Sequence, residues 1–437
     1  MGGTIQEEKE MRKRSLSRRD FMRNAMAAGA ALGGLTVLGA TPKGTGKVFK
    51  VGLVGCGGRG SGALAQHVNA AKILNGALGW NIQIKVVATA DYFKGRAEGT
   101  GRRHGVPKDM CFSGATAYKK LLDTDIDIML TAAPPAFRPV HFEAAIKAGK
   151  HVFMEKPVAV DPPGCRRIIA AGEEAKKKGL YVVAGTQRRH QQNYNTRAQE
   201  IQEGAYGRIM GGRVAWCMGR IFSNTPIHPK TPADLCGGGK WQLWVEMSGD
   251  HIVEQHVHNI DIANWFLGSH PVAAVGFGHR ARRKAGNMYD FFSVDFEYPN
   301  GIHIHSMCRQ VAGCWNWVGE SFTFEKEKPR NFKLSKPVRY SEVPQKGGGH
   351  QQEHINFLYY LVKGKYLNEA TNVAWATAAA IMGRESAYTG QRITWRDMME
   401  NPKAKIYNLQ LKPAPEDFET GNVVMLKDGD IRIPGRG

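Results

Sequence analysis

Short apolar runs alternate with amphipathic stretches through the first half of the chain. Runs rich in Val and Ile that end at Gly, Asp or Pro predict five strands, separated by segments of helical period. The predicted strands are "KVFKVGLVG", "IQIKVVATAD", "DIDIMLTAAPP", "HVFMEKP" and "LYVVAGTQ". Helices are predicted at about 60–75, 137–148 and 162–178. This alternation is typical of a doubly wound parallel sheet, which we assign to residues 47–186.

The pattern changes in the second half, where strand signals follow one another with few helices between them. The strand signals are "GRIMGGRVAWCMGR", "PVAAVGFGHRA", "YDFFSVDFEY" and "GIHIHSMCRQ", and "YPNG" joins the last two as a hairpin turn. A helix is predicted at about 252–266, and two more near the C-terminus end at Gly. Residues 187–437 are therefore predicted to form an α/β domain on an open, mainly antiparallel sheet.

A glycine-rich loop follows the first predicted strand and opens a helix. Gly55 permits a tight turn, Gly57 lets the backbone approach a pyrophosphate, and Gly60 lets the helix pack on the strand. The helix N-terminus faces the phosphates, so Gly58 and Arg59 are also assigned to the cofactor site. The first domain is thus predicted to be a Rossmann dinucleotide-binding domain.

Asp91 ends the second predicted strand, where an acidic side chain would bind the ribose hydroxyls. This position favours NAD as the cofactor. Lys94 and Arg96 follow closely and leave NADP open, because they could hold a 2′-phosphate.

Glu155 and Lys156 end the fourth predicted strand, before Pro157. Ligands of open parallel sheets bind at the carboxyl ends of the strands, so both residues are assigned to the cofactor edge. The charge of Lys156 would stabilise an alkoxide as hydride leaves. A surface lysine is the alternative for this position taken alone.

Glu254, His258 and Asp261 have the spacing of one helix face in "SGDHIVEQHVHNIDIANWFLG". An imidazole that faces a cleft can take a hydroxyl proton, and Glu254 would orient it. His251 and His256 suggest a metal site, but His256 would point to another side of the helix. We therefore predict no metal, and a merely structural cluster stays open.

These motifs carry a resemblance. Together with "AGKHVFMEKP" and "GTQRRHQQNY", they resemble the glucose–fructose oxidoreductase, inositol dehydrogenase and rhizopine-catabolism (Gfo/Idh/MocA) family over nearly the whole chain after residue 47. The resemblance implies NAD(P)-dependent oxidation or reduction of sugars, cyclitols and their relatives. It also implies that the C-terminal sheet forms a homo-oligomer.

The family resemblance assigns roles by position. Lys156 matches its catalytic lysine and His258 its catalytic histidine. Glu254 stands where members often have Asp, so its role as a third catalytic residue is less defined. Four further residues are predicted to contact the substrate: Arg188, His190, Trp241 and Asp261.

The chain of 437 residues has a net charge of +21 and seven cysteines. The basic residues are scattered without a nucleic-acid-binding module, so no nucleic-acid partner is predicted. The cysteines show neither a disulfide framework nor a zinc pattern.

Residues 1–46 read as an export signal and a linker. "SRRDFM" from Ser17 resembles the twin-arginine motif, and a weakly apolar, Gly-rich segment follows that is too short for a convincing membrane span. The twin-arginine machinery carries folded proteins, so the prediction is a periplasmic protein with a tightly bound cofactor.

Three functions follow from these observations. The first is an NAD(P)-dependent sugar or cyclitol oxidoreductase. The second is an NAD-dependent glycosidase that oxidises a hydroxyl transiently, eliminates the aglycone and returns the hydride. The third is a ligand-binding protein on the same scaffold that has lost its chemistry.

Overall fold

The computed structural model describes residues 46–237 and 239–435. The predicted export signal lies outside the described residues. Within the described ranges, no helix is both long and apolar enough to cross a membrane.

The first sheet has six parallel strands in the order β3-β2-β1-β4-β5-β6. The strands are β1 (Val48–Val54), β2 (Gln83–Asp91), β3 (Cys111–Ser113), β4 (Ile128–Thr131), β5 (His151–Met154) and β6 (Val182–Ala184). The doubly wound Rossmann fold is confirmed, and the five predicted strands correspond to β1, β2, β4, β5 and β6. The sequence analysis missed β3, whose three residues are too few to show a period.

Helices cover both faces of this sheet, as the burial of its strands requires. They are α1 (Gly58–Leu78), α2 (Lys94–Arg103), α3 (Ala117–Leu122), α4 (Arg138–Lys147) and α5 (Pro162–Lys177). Gly79 ends α1 in the left-handed conformation, and Asp161 caps α5 by accepting a hydrogen bond from the Gly164 backbone. The three predicted helices correspond to α1, α4 and α5.

The second sheet has the order β11-β7-β10-β9-β8-β12. Its strands are β7 (Ile209–Met218), β8 (Ala273–His279), β9 (Phe291–Tyr298), β10 (Ile302–Gln310), β11 (Trp317–Phe324) and β12 (Ile393–Thr394). Only the β7–β10 pair is parallel, so the mainly antiparallel sheet is confirmed. The hairpin turn between β9 and β10 also forms, with positive φ at Asn300 and Gly301.

The helices of the second half are α6 (Gln192–Gln202), α7 (Pro232–Cys236), α8 (Val245–Ser248), α9 (His251–Glu254), α10 (Val257–Leu267), α11 (Gly349–Lys363), α12 (Ala370–Thr389), α13 (Trp395–Met399) and α14 (Pro415–Thr420). The helix predicted at 252–266 is broken at Gln255 and His256 into α9 and α10. The apolar pattern continues through the break, so periodicity alone could not reveal it.

One C-terminal helix belongs to the core of the first domain. Ile355, Phe357 and Leu358 of α11 are buried in one cluster with Leu64 of α1 and Val51 of β1. Part of the predicted second domain, 187–437, therefore packs into the core of the Rossmann domain. This packing brings side chains of α11 close to the glycine-rich loop.

Candidate active site

The glycine-rich loop has the shape that a pyrophosphate needs. Gly55 has a φ of +91°, and a Cβ there would lie 2.5 Å from the backbone nitrogen of Ala133. A Cβ on Gly60 would lie 1.7 Å from the Gly55 carbonyl oxygen, so only glycine lets α1 approach the loop. Gly57 and Gly58 face open space instead. The loop is thus closed on the protein side and open where phosphates would bind.

The N-terminus of α1 adds to this cradle. Among the described residues, no side chain caps it, which leaves its first backbone N–H groups available to an anion. Asp91 lies beside the loop, and its carboxylate accepts hydrogen bonds from the backbone nitrogens of Cys56 (2.7 Å) and Phe93 (2.9 Å). Burial raises the pKa of Asp91. The residues present therefore fit the diphosphate of a dinucleotide.

The two cations that left NADP open have partners of their own. Arg96 lies over the Phe93 ring, 4.8 Å from its centroid. The Lys94 ammonium lies 3.9 Å from Glu98. Both contacts leave the cations near Asp91, so they do not decide between NAD and NADP.

The side chain of Arg59 pairs with two protein carboxylates, and its predicted contact with the cofactor stays a prediction. Its guanidinium pairs with Glu155 at the end of β5 and with Glu353 of α11, the latter at 2.9 Å. Both carboxylates are buried. Arg59 thus connects the loop, the strand that precedes Lys156 and α11, and it acts as a positioning residue.

Lys156 lies directly after β5, and its ammonium contacts Glu254 of α9. The Nζ–Oε1 distance is 3.2 Å, and Nζ also donates to the Glu254 carbonyl oxygen. The two side chains are 15% and 12% exposed, so the pair is mostly buried but still reaches solvent. The sequence analysis expected Glu254 to orient His258; its observed partner is Lys156.

His258 is the second residue of α10, and it is 5% exposed. Its ring stacks on Trp216 of β7, with centroids 5.8 Å apart. Burial, reinforced by the positive charges of Lys156 and Arg188, lowers the pKa of His258 well below its usual value. The imidazole is therefore neutral at physiological pH and free to accept a proton.

Arg188 pairs with a buried carboxylate and lies near the tryptophan on which His258 stacks. Its guanidinium pairs with Glu320 of β11 and lies 5.7 Å from the centroid of Trp216. Glu320 also accepts hydrogen bonds from Asn259 (2.7 Å) and Tyr194 (3.1 Å), and burial raises its pKa. The predicted cleft position of Arg188 fits this geometry, because its charge reaches His258.

Two predicted substrate contacts need correction. His190 is fully buried, and its ring nitrogens face Glu369 (3.3 Å) and Asn356 (3.0 Å). Asp261 is 1% exposed, and both of its oxygens accept hydrogen bonds from Arg189, at 2.7 and 2.8 Å. Side chains so enclosed cannot touch a substrate, so both residues hold the scaffold together.

Trp241 is half-buried and packs against the main hydrophobic core, and its predicted contact with substrate stays a prediction. The neighbouring Trp244 is fully buried. In the described ranges, no group of three or more metal-ligating side chains is close enough to hold an ion.

The sequence analysis missed three contributors to the site. They are Trp216, which stacks on His258, Glu320, which holds Arg188, and Glu353, which holds Arg59. Each lies far along the chain from its partner, so no local pattern marks it. The only available signal was the run "GGGH" at 347–350, where glycines permit a close approach before a helix.

Comparison with known proteins agrees with this architecture. Residues 49–184 match the family model described as "Oxidoreductase family, NAD-binding Rossmann fold". The family model that matches the first domain is thus NAD-binding. Residues 194–324 match the "GFO/IDH/MocA C-terminal domain".

Among curated relatives, inositol 2-dehydrogenase of Ralstonia nicotianae is 26% identical over 260 residues, which are 59% of this chain and 66% of the relative. 1-Carboxy-3-chloro-3,4-dihydroxycyclohexa-1,5-diene dehydrogenase of Comamonas testosteroni is 26% identical over 238 residues, 51% of this chain and 52% of the relative. The matches thus span about half to two thirds of the relatives' length.

Solved structures share the fold. Levoglucosan dehydrogenase in complex with NADH and levoglucosan aligns with a TM-score of 0.60 and 18% identity, covering 80% of this chain and 99% of that chain. Aldose-aldose oxidoreductase from Caulobacter crescentus aligns with a TM-score of 0.58 and 16% identity, covering 80% and 100%.

Proposed function

The chain belongs to the Gfo/Idh/MocA family of oxidoreductases, and from that premise we propose that it transfers hydride between NAD and a hydroxyl-bearing carbon of a sugar or cyclitol. The observation that carries the proposal is the Lys156–Glu254 pair, which joins the end of β5, separated only by β4 from the strand of the glycine loop, to the segment that carries His258. The open glycine loop, the Lys156–Glu254 pair and the neutral ring of His258 lie at the ends of β1 and β5 and the start of α10.

NAD would be held by the loop from Gly55 to Gly60 and by Asp91, and when bound it supplies the hydride acceptor. The chain's own residues do the proton chemistry. His258 accepts the hydroxyl proton, since its ring is neutral. The Lys156 ammonium, held by Glu254, stabilises the negative charge that develops on the oxygen.

Two other functions receive less support. The relatives named above are dehydrogenases and an oxidoreductase, which favours a net redox reaction over glycoside cleavage. A binding protein without chemistry would have no use for the arrangement of Lys156, Glu254 and His258.

The first test is the cofactor content of the purified protein. We expect denaturation to release NAD(H) in an amount close to one per chain, because export of the folded protein, proposed below, would require the cofactor to be inserted before the protein leaves the cytoplasm. A panel of sugars and cyclitols then identifies the substrate by NADH absorbance at 340 nm. A protein that neither retains nor binds NAD(H) would contradict the proposal.

The location is part of the same proposal. We propose export by the twin-arginine machinery, on the strength of Arg18 and Arg19 before a weakly apolar segment. Replacing both arginines by lysine should retain the protein in the cytoplasm during cell fractionation. An unchanged distribution would contradict export by this route.

We also propose a homo-oligomer formed through the uncovered face of the second sheet. Phe277 is 72% exposed there, with Val275 and Phe291 beside it on β8 and β9. Phe277→Asp should shift the sedimentation coefficient towards that of the monomer. A wild-type protein that sediments as a monomer would contradict the proposal.

A further inference from the structure

The turn before α9 holds an aspartate in a backbone conformation that suits glycine. Asp250 has a φ of +73° and a ψ of 164°, a region in which glycine is nearly the only residue found. Asn300 in the β9–β10 hairpin also has positive φ, but its ψ of 23° belongs to the left-handed helical region that Asn tolerates. Backbone strain persists only where the surroundings enforce it, and it concentrates at functional sites. The strain at Asp250 therefore points to a function.

The carboxylate of Asp250 is fully buried and bonds to three other residues or their backbones. Its Oδ1 accepts from the His251 backbone nitrogen at 2.5 Å and lies 2.9 Å from His251 Nδ1. Its Oδ2 accepts from the Tyr388 hydroxyl at 2.5 Å and from the Tyr289 backbone nitrogen at 2.8 Å. These partners lie on α9, on α12 and before β9. The carboxylate thus joins three separate parts of the second domain.

The backbone of Asp250 fixes the residue that contacts Lys156. Its carbonyl oxygen accepts hydrogen bonds from the backbone nitrogens of Val253 (3.0 Å) and Glu254 (2.8 Å). The carbonyl oxygen and the carboxylate of Glu254 in turn accept from Lys156. A helix of four residues, His251–Glu254, has little stability of its own. Its position therefore depends on the turn that starts it.

The C-terminal segment contacts the partners of Asp250. The Tyr289 hydroxyl donates to the Arg432 carbonyl oxygen at 2.7 Å. The Arg432 guanidinium lies 5.3 Å from the centroid of the Tyr388 ring and 3.4 Å from the carboxylate of Glu246 on α8. Tyr388 and Arg432 lie outside both segments that match the family models. This support therefore comes from parts of the chain that those models do not describe.

We propose that Asp250 is a positioning residue of the active site, a strained and buried carboxylate that fixes the start of α9 so that Glu254 meets Lys156. The inference rests on the proposed function, in which the Lys156–Glu254 pair serves hydride transfer. The strain follows from placing a carboxylate, which glycine lacks, where three neighbouring residues can donate to it. Asp250 is 0% exposed, so it acts through Glu254 and does not touch the substrate.

The kinetic test begins with Asp250→Gly, which suits the backbone of the turn but removes the carboxylate. We expect kcat to fall about 10-fold, the loss that a slightly misplaced Glu254 should cause, while KM and the Kd for NAD stay within about threefold. The double variant with Glu254→Gln should fall no further than Glu254→Gln alone, because Asp250 acts through Glu254. Losses that multiply in the double variant would overturn the proposal.

A milder variant keeps the proposal testable should Asp250→Gly fail to fold. Tyr388→Phe removes one donor from Asp250 and should lower kcat about threefold, less than Asp250→Gly does, because the other donors remain. The matched control is Tyr298→Phe, which loses a bond of 2.7 Å from an equally buried hydroxyl to Asn264. It should leave kcat unchanged. Equal kcat values in the two variants would overturn the proposal.

Two readouts need no turnover. Because the backbone at Asp250 is strained, Asp250→Gly should have a higher Tm than Asp250→Ala, the reverse of the order usual where φ is negative. A higher Tm for Asp250→Ala would overturn the strain on which the proposal depends. In a crystal structure of Asp250→Gly, the distance from Lys156 Nζ to Glu254 Oε1 should grow from 3.2 Å to more than about 4 Å.

The outcomes separate the positioning role from the function that it serves. An active wild-type protein whose folded Asp250→Gly variant keeps kcat within about twofold overturns the positioning role alone. A wild-type protein that binds NAD but oxidises no sugar or cyclitol overturns the proposed function. The crystal structure then decides the positioning role, since an unchanged Lys156–Glu254 pair in Asp250→Gly overturns that role as well.

Discussion

Two ion pairs join the Rossmann side of the molecule to the α9–α10 segment, and they differ in one respect. Lys156 and Glu254 are 15% and 12% exposed and still reach solvent. Arg189 and Asp261 are 7% and 1% exposed and bond to each other through two hydrogen bonds. Both pairs come from motifs that the sequence marks as functional. The difference in accessibility, together with the two hydrogen bonds that close the second pair, favours a role at the reacting oxygen for the first and a structural role for the second.

The largest effect should come from removing the cation at the cleft. Lys156→Met should lower kcat on the order of 10³-fold, because a charge aimed at a developing oxyanion is lost. The free energy of unfolding should change by only about 1 kcal/mol, the scale of one hydrogen bond. Steady-state kinetics and urea unfolding measure the two quantities.

The control for this variant is Lys178→Met, which removes the pair with Glu174 of α5 and a hydrogen bond to the Ile146 carbonyl oxygen. It should leave kcat unchanged and cost about 1 kcal/mol of unfolding free energy, as in Lys156→Met. A Lys156→Met protein with near-normal kcat would remove the distinction between the two pairs.

The Arg189–Asp261 pair should show the reverse pattern, a large loss of stability with little change in kcat. Asp261→Asn leaves the Arg189 guanidinium buried without its counter-ion, which should cost about 3–5 kcal/mol of unfolding free energy. The kcat of the folded fraction should stay within a fewfold of wild type. Should stability hold while KM rises steeply, Asp261 would be the substrate ligand that the sequence predicted.

A milder change at the cleft tests what Glu254 does. Glu254→Gln keeps an acceptor for Lys156 but removes its counter-charge, and kcat should fall about 10-fold, a size typical of a catalytic group that is slightly misplaced. Glu254→Asp should recover part of the loss. A pH–rate profile completes the test, because a shift of the limb that belongs to His258 would show that Glu254 orients the histidine instead.

The same contrast between reacting and structural groups applies to histidines, where the expected effect is on stability alone. Burial, aided by Arg138, lowers the pKa of His141 to about 3. The unfolded chain protonates this residue near pH 6.5, so stability is lost as the pH falls from 6.5 towards 3. Between pH 6 and pH 4, the wild-type protein should lose about 1.4 kcal/mol more unfolding free energy per pH unit than His141→Phe does, because only the wild-type protein carries this histidine. Urea unfolding across this range measures it, and parallel slopes would contradict the shift.

Short-range patterns predicted the parts of the molecule that short-range physics determines. The turn at Gly55, the close approach at Gly60 and the position of Lys156 after a buried strand all follow from neighbouring residues. Four strands of the second sheet, β7 to β10, also followed from their patterns and from the hairpin at Asn300, whereas β11 and β12 were not predicted.

The rest depends on partners far along the chain. No sequence pattern indicates that Glu369 contacts the buried ring of His190, or that Arg189 forms an ion pair with Asp261. The break between α9 and α10 redirects Glu254 to Lys156, although the apolar period runs on through it. Arg59 meets Glu353 only because α11 returns to the Rossmann domain.

The central claim is that a carbinol whose hydroxyl lies between Lys156 and His258 loses the hydroxyl proton to His258 and a hydride from its carbon to a cofactor in the neighbouring loop. The most direct measurement loads the protein with NAD, adds a sugar or cyclitol deuterated at its carbinol carbons, and examines the nicotinamide by mass spectrometry. We predict that the recovered NADH carries one deuterium with wild-type protein and none with His258→Gln. Unlabelled nicotinamide from a wild-type protein that binds both NAD and the labelled compound would contradict the account.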